Sequence, residues 1–347
     1  MTFDVIQGLL DALPVPTLLV SKGERVIGAN ARVETLLGQG LSGRHLITVL
    51  RQPSVLDAIE ACEASRQTQT TRYLTSTDRN EMTYQVHCGY VEIADAKGVL
   101  VSFEDITHVE AISQMRRDFV ANVSHELRTP LTALMGFIET LQGPAKNDPV
   151  AQERFLGIMM TEASRMNRLV SDLLSLSQVE SEERIRPSLS IDLTLLIGSI
   201  LRSIGPVAEK ARVALVKEAP SDPILVPGDE DQLRQVFTNL IENAIKYGGN
   251  DQTVTVKLTQ MERDPALRGP GVRVEVCDTG PGIDQVHLPR LTERFYRVDS
   301  HRSREMGGTG LGLAIVKHIV NRHRGRLKID SSPEEGSRFT VILPALD

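Results

Sequence analysis

His125 stands in the run Phe119 to Leu131, where Val120, Val123, Leu127, Leu131, Leu134, Ile138 and Leu141 recur at spacings of three and four, the apolar seam of a helix. At about 100° per residue the histidine falls about 200° from both Val123 and Leu127, off the seam and toward solvent. Five residues on, Pro130 lacks an N–H and its ring presses on the carbonyl of Glu126, which predicts a bend just after the histidine. An imidazole with an ordinary pKa of about 6.5 is mostly neutral at pH 7, so one ring nitrogen can attack as a nucleophile while the other sheds its proton. Glu126, next in the chain, can take that proton or orient the ring. A lone exposed histidine is more often a plain surface residue. A zinc reading of His125-Glu126 fails, because Thr129 stands where HExxH needs its second histidine.

A second group lies on the predicted helix Asp231 to Tyr247. Leu233, Val236, Phe237, Leu240, Ile241 and Ala244 make the stripe that docks it. Asn239, Asn243 and Lys246 recur at i, i+4 and i+7 on a neighbouring face, pointing two amides and a cation into one cleft; a solvated face would read the same way. Downstream, Asp278-Thr279-Gly280-Pro281-Gly282 ends a predicted strand. A carboxylate fixed there can accept a hydrogen bond from an adenine amino group, although DxGxG is often only a turn. Gly307-Gly308-Thr309-Gly310-Leu311-Gly312 opens a helix whose N-terminal amides can meet phosphate. Neither GxGxxG nor GxxxxGK is present in this segment, so this is not a Rossmann or Walker site. Between the glycine segments, Arg290, Arg294, Arg297, Arg302 and Arg304 lie on a loop that can close over a nucleotide, one or two guanidinium groups meeting its γ-phosphate.

Three regions must position these residues. Residues 1 to about 107 mix short strands (Thr17 to Val20, Gly98 to Phe103) with helical pieces, a small α+β domain. From Ile106 to Glu180 the texture turns to long 3-4 apolar spacing broken once at Gly143-Pro144, a helical hairpin whose second seam is Met166, Leu169, Leu173 and Leu176. Two helices alone bury too little, so pairing with a second copy as a four-helix bundle is expected. After Pro187 come helices over Leu193 to Ala208 and Asp231 to Tyr247, strands over Val254 to Leu258 and Val272 to Asp278, a further helix and a terminal strand pair. Loops are expected at about 145–150, 181–187 and 260–271.

Phe119 to Leu131 closely resembles the H-box of sensor histidine kinases, Asn239 to Tyr247 their N-box, Cys277 to Ile283 their G1 box, and Glu293 to Arg297 with the following loop their F-box and ATP lid, with the second glycine segment in its place. Leu291-Thr292 departs from the usual Ile-Phe before the lid glutamate. The resemblance implies an α+β multidomain chain: a PAS-like sensor domain (1–107), a dimerisation and phosphotransfer hairpin (108–182), and an α/β-sandwich ATP-binding domain of the histidine-kinase, gyrase and chaperone type (188–347). It implies that His125 is phosphorylated from ATP with Mg²⁺, with Glu126 in acid-base chemistry and Thr129 in dephosphorylating the partner. It makes Asn243 the Mg²⁺ ligand, brings Lys246 to phosphate and Tyr247 beside the nucleotide, and makes Asp278 the adenine contact. Asn239, Gly280, Gly282, Gly308, Thr309, Gly310, Leu311 and Gly312 complete the nucleotide site, with Arg294 and Arg297 at the γ-phosphate. The stretches Phe137 to Ala145, Asp172 to Ser177, Leu291 to Asp299 and Arg322 to Leu327 look like the phosphate-regulon (PhoR type) kinases of α-proteobacteria. That likeness implies a PhoB-like response regulator receiver domain and PhoU-like or phosphate-transport regulators as partners, beside the homodimer. Residues 8 to 107, with Asn30, Leu37-Gly38 and Asp105-Ile106-Thr107, look like a PAS domain.

The 347 residues carry 41% apolar and 24% charged residues and a net charge of -6, which excludes collagen-like and wholly disordered chains and gives no support for direct nucleic-acid binding. Cys62, Cys88 and Cys277 make neither a CxxC motif nor a disulfide framework and suit a reducing cytoplasm. No apolar run reaches the length of a membrane span. Most PhoR-type kinases carry membrane helices, so a soluble variant or a piece of a longer membrane-associated protein is expected. Two other classes stand beside the kinase: an ATP-driven clamp, opposed by the H-box, and a signalling scaffold or regulator phosphatase with little kinase activity, opposed by the intact Asn243, Asp278 and glycine segments.

Overall fold

The computed structural model describes residues 2–77, 80–93, 96–182, 185–249, 251–299 and 308–346, so Arg302, Arg304 and Gly307 of the expected lid lie outside the described residues. The chain divides into two compact units, residues 1–121 and 122–347.

In the first unit, α1 (Thr2–Ala12), β1 (Thr17–Ser21), β2 (Val26–Ala29), α2 (Ala31–Leu37), α3 (Leu46–Val49), α4 (Pro53–Ser65), β3 (Gln69–Thr77), β4 (Asn80–Ile93) and β5 (Ala96–Asp105) follow in order. The strands form one five-stranded sheet in the order β2-β1-β5-β4-β3, antiparallel throughout. Leu18, Val20, Val33, Leu50, Val55 and Phe103 are buried in its core. Asn30 is a buried polar pin: its Oδ1 accepts from the N–H groups of Val33 and Thr17, both at 3.0 Å, and its Nδ2 donates to the carbonyls of Leu10 and Val15. The first of those bonds caps α2. Cys62 and Cys88 are buried, and burial pushes the Cys88 thiol up to about 12, so it stays protonated and unreactive.

Two long helices come next, α5 (Thr107–Gln142) and α6 (Pro149–Glu182), joined where Gly143-Pro144 was expected to break the pattern. Helix α5 runs through Pro130, which it buries, so the proline does not end the helix. The Phe137 and Phe155 rings stack 5.4 Å apart across the hairpin. Part of the α5 seam lies open in the single chain, with Val120, Leu131 and Ile138 exposed, whereas Leu169 and Leu176 of the α6 seam are buried.

The rest comprises β6 (Leu189–Asp192), α7 (Leu193–Lys210), β7 (Ala214–Glu218), β8 (Leu225–Gly228), α8 (Glu230–Gly248), β9 (Thr253–Asp264), β10 (Gly269–Asp278), a 3₁₀ turn (Leu288–Arg290), α9 (Gly312–Arg322), β11 (Arg326–Ser332) and β12 (Gly336–Pro344). The main sheet has the order β11-β12-β10-β9-β7; only β7 to β9 is parallel. Helix α8 packs on β10 and between α7 and α9, so its apolar stripe faces the sheet as the sequence predicts. The loop expected over 260–271 is instead a hairpin, with β9 reaching Asp264 and β10 starting at Gly269. Its turn is fixed by the buried Asp264, which accepts from Ala266 N–H at 2.7 Å and pairs with Arg273 at 3.2 Å. Strands β6, β7 and β8 were not expected; each has four or five residues, too few for an alternation to stand out. At the end of α9 the buried His323 donates from Nδ1 to the Ile319 carbonyl (2.8 Å) and accepts at Nε2 from Asp229 N–H (3.0 Å), tying α9 to the start of α8. Among the described residues no helix is long and apolar enough to cross a membrane.

Candidate active site

Helix α8 starts at Asp229, whose Oδ1 accepts from Gln232 N–H, and buries Leu233, Val236, Phe237, Leu240, Ile241 and Ala244. That burial leaves Asn239, Asn243, Lys246 and Tyr247 along one wall of a cavity of about 470 Å³, a volume suited to a small ligand. Gly282 and Ile283 after β10, Gly308 to Gly310 before α9 and Gly312 at its start, and Tyr296 and Arg297 between them form other walls. Two glycines are required by geometry. Gly282 has φ +70° and Gly310 φ +75°, and an added Cβ would lie 1.9 Å from the Ser332 carbonyl oxygen at the first and 2.9 Å from the Phe295 backbone at the second. Phe295 N–H also donates to the Gly310 carbonyl (2.8 Å), fastening the arginine segment to the glycine turn.

Asp278 is buried beside the cavity and does not line it. Its Oδ1 accepts from Gly280 N–H (2.9 Å) and Ser337 N–H (3.3 Å). Burial raises its pKa and those bonds pull it back. Gly280 thus shapes the turn from behind, again off the lining. Leu311 is fully buried at the start of α9, so only its backbone could meet a nucleotide, and its N–H donates to the Thr309 hydroxyl at 3.3 Å. Arg294 also points elsewhere: it pairs with Glu180 of α6 and does not line the cavity. Arg297 does line it, is nearly enclosed at 6% side-chain exposure, and reaches Glu126 Oε2 at 3.0 Å. Arg165 holds the same oxygen at 3.2 Å. His125, beside it, is exposed, as its helical phase predicts, and its carbonyl accepts from the Thr129 hydroxyl at 3.2 Å.

Residues 115–182 match the His Kinase A (phospho-acceptor) domain. Residues 228–347 match the histidine kinase-, DNA gyrase B-, and HSP90-like ATPase domain. The chain thus carries a histidine-kinase phospho-acceptor domain followed by an ATPase domain of the histidine-kinase type. It is 42% identical over 241 residues to the phosphate regulon sensor protein PhoR of Pseudomonas aeruginosa, covering 70% of this chain and 53% of PhoR. It is 38% identical over 247 residues to the sensor protein kinase WalK of Staphylococcus saprophyticus, covering 71% of this chain and 39% of WalK. The chain thus spans about half or less of the length of these curated relatives. It shares its fold with the histidine kinase ThkA, solved in complex with the response regulator protein TrrA, at TM-score 0.53 and 21% identity over 98% of each chain.

The donor set of this cavity in the ATPase domain would suit Mg-ATP. Asn239 and Asn243 bring neutral amide oxygens suited to an Mg²⁺ held mainly by phosphate and water, and Lys246 brings a cation now paired with Glu242 at 2.7 Å. Among the described residues no group of three or more His, Cys, Asp or Glu could hold a metal by itself, so Asn243 would share the ion with phosphate oxygens. The sequence reading missed Arg168 and Asp172 of α6, which also line the cavity. The signal was present: Arg168, Asp172 and Ser175 recur at i, i+4 and i+7, the same spacing that marked Asn239, Asn243 and Lys246.

Proposed function

We propose that the protein is a two-component sensor kinase that phosphorylates His125 from Mg-ATP and passes the phosphoryl group to an aspartate of a response regulator. The observation that carries this reading is Arg297, which lines the cavity and at the same time holds Glu126, the neighbour of the exposed His125. Mg²⁺, when bound, screens phosphate charge; Asn243 is the residue that would ligate it. Lys246 and Arg297 neutralise phosphate oxygens, and the Gly308 to Gly310 turn offers backbone N–H groups. A neutral His125 nitrogen forms the N–P bond as the bond from phosphorus to the ADP oxygen breaks, and the other ring proton passes to Glu126. Asp278 would meet the adenine amino group only from behind the cavity wall, through the carboxylate that also holds the Gly280 and Ser337 N–H groups, and Thr129 serves hydrolysis of the phosphorylated regulator.

The finer reading is a phosphate-starvation kinase of the α-proteobacterial PhoR type with a PhoB-like regulator and PhoU-like partners, supported by the likeness to PhoR. Residues 1–107 act as a PAS-like sensor; the antiparallel order β2-β1-β5-β4-β3 supports this. Residues 108–182 pair with a second copy, supported by the open seam, and residues 188–347 hold the nucleotide, working in the cytoplasm. The test is incubation with Mg²⁺ and γ-phosphate-labelled ATP. Acid-labile label on the wild type, absent from His125→Gln and Asn243→Ala, is expected. ATP turnover without label at His125 would move the protein to an ATP-driven clamp.

A further inference from the structure

Three phosphate-seeking groups face the cleft, and each already holds a carboxylate. Lys246 Nζ lies 2.7 Å from Glu242 Oε2 on its own helix, the Arg297 guanidinium 3.0 Å from Glu126 Oε2, and the Thr309 hydroxyl donates to Asp172 Oδ2 at 2.7 Å. Glu126 and Asp172 come from the hairpin and not from the ATPase domain.

Asp172 is the more informative of the two. Glu126 adjoins His125 and has a proton to handle, whereas Asp172 has no part in that chemistry. It nevertheless presents its carboxylate to the glycine turn, where Thr309 accepts from Leu311 N–H (3.3 Å) while giving its own proton to the hairpin. Among the described residues this is the one hydrogen bond that the Asp172 carboxylate makes. Burial raises its pKa; the Thr309 hydroxyl and the Arg168 and Lys246 charges lower it in part, and Glu242 raises it further. With the Asp172 carboxylate held at the glycine turn by Thr309, a second anion brought beside it would be opposed.

We propose that Asp172 is a nucleotide-specificity residue: the hairpin places a carboxylate at the phosphate end of the cleft, so that docked α6 disfavours a nucleoside triphosphate relative to the diphosphate. The inference rests on reading this cavity as the ATP site. The added γ-phosphate brings charge toward the end of the cleft where the Thr309 hydroxyl is already occupied, so it must displace Asp172 or tolerate it. A Mg²⁺-ligating Asp172 would have the opposite effect, its removal weakening the triphosphate.

The experiment is equilibrium binding to the full chain, by calorimetry with Mg²⁺, of a non-hydrolysable ATP analogue and of ADP. Asp172→Asn keeps an oxygen to accept the Thr309 hydroxyl and removes the charge; Asp172→Ala removes both. Both variants should bind the analogue about fivefold more tightly, with ADP changed less than about twofold. The ratio of the two affinities is the readout, since a merely structural role would move both ligands together. An unchanged ratio, or weaker analogue binding in Asp172→Asn, overturns the proposal while leaving the ATP site in place. A wild-type chain that binds neither nucleotide overturns both.

Discussion

Helices α5 and α8 are both amphipathic, yet they use their apolar residues differently. In α8, nine of 19 residues are buried; in α5, Pro130 alone of 36 is. The contrast separates two ways of making a site. The ATPase domain builds its cavity wall from a helix whose stripe is satisfied within the same chain. The hairpin carries His125 on a helix whose stripe is partly open, so a second copy would be needed to bury it.

The comparison breaks most visibly at Gly282. Gly282→Ala forces a Cβ to within 1.9 Å of the Ser332 carbonyl oxygen at φ +70°, so the ATPase domain should lose about 3 kcal/mol or more. Chemical denaturation should show that loss with the hairpin's self-association unchanged. Next is Ile138→Asp, which places a charge on the open seam. It should weaken dimerisation by about 2 kcal/mol, or about thirtyfold, as read by analytical ultracentrifugation; unchanged nucleotide affinity would sharpen the contrast, and an unaltered dimer would sink it.

The smallest effect concerns His323, whose pKa burial lowers from 6.5, with Arg322 and Arg186 lowering and the Ile319 carbonyl and Asp229 raising it. The folded domain therefore holds fewer protons than the unfolded chain below the unfolded pKa. Its stability is fully present above about pH 6.5 and declines as pH falls from there toward the lowered folded value. Protonation would also turn Nε2 into a donor facing the Asp229 N–H. His323→Gln should cost about 1 kcal/mol at neutral pH and flatten that slope in melting curves taken from pH 7.5 to 5.5.

Legibility in the sequence followed the same division. The α8 stripe and the Asn239, Asn243 and Lys246 face could be read because burial on one side forces a period of 3.6 on the other. His125 could be placed off its seam for the same reason. Short strands such as β7 could not, since their partners are supplied by distant segments; nor could the β9–β10 turn, whose buried Asp264 looks like any polar loop residue. What the sequence left open within the site was direction. Leu311 and Arg294 lie in the right segments, but whether a side chain enters a cavity is decided by contacts across the fold: for Arg294, by Glu180 more than a hundred positions earlier.

Arg297 and Arg322 carry one more consequence. Their side chains are only 6% and 9% exposed, and they hold Glu126 and Glu182 of the hairpin, with Arg322 also donating to the Ile185 carbonyl. Moving the hairpin a small distance away would take Glu126 from the sheltered Arg297 guanidinium before water could replace it, whereas Arg322 would keep Asp229 at 3.7 Å; a stranded buried charge costs more than either the closed or the fully hydrated arrangement. Intermediate separations are thus the unfavourable ones. A junction held in this way would favour two positions over a graded displacement.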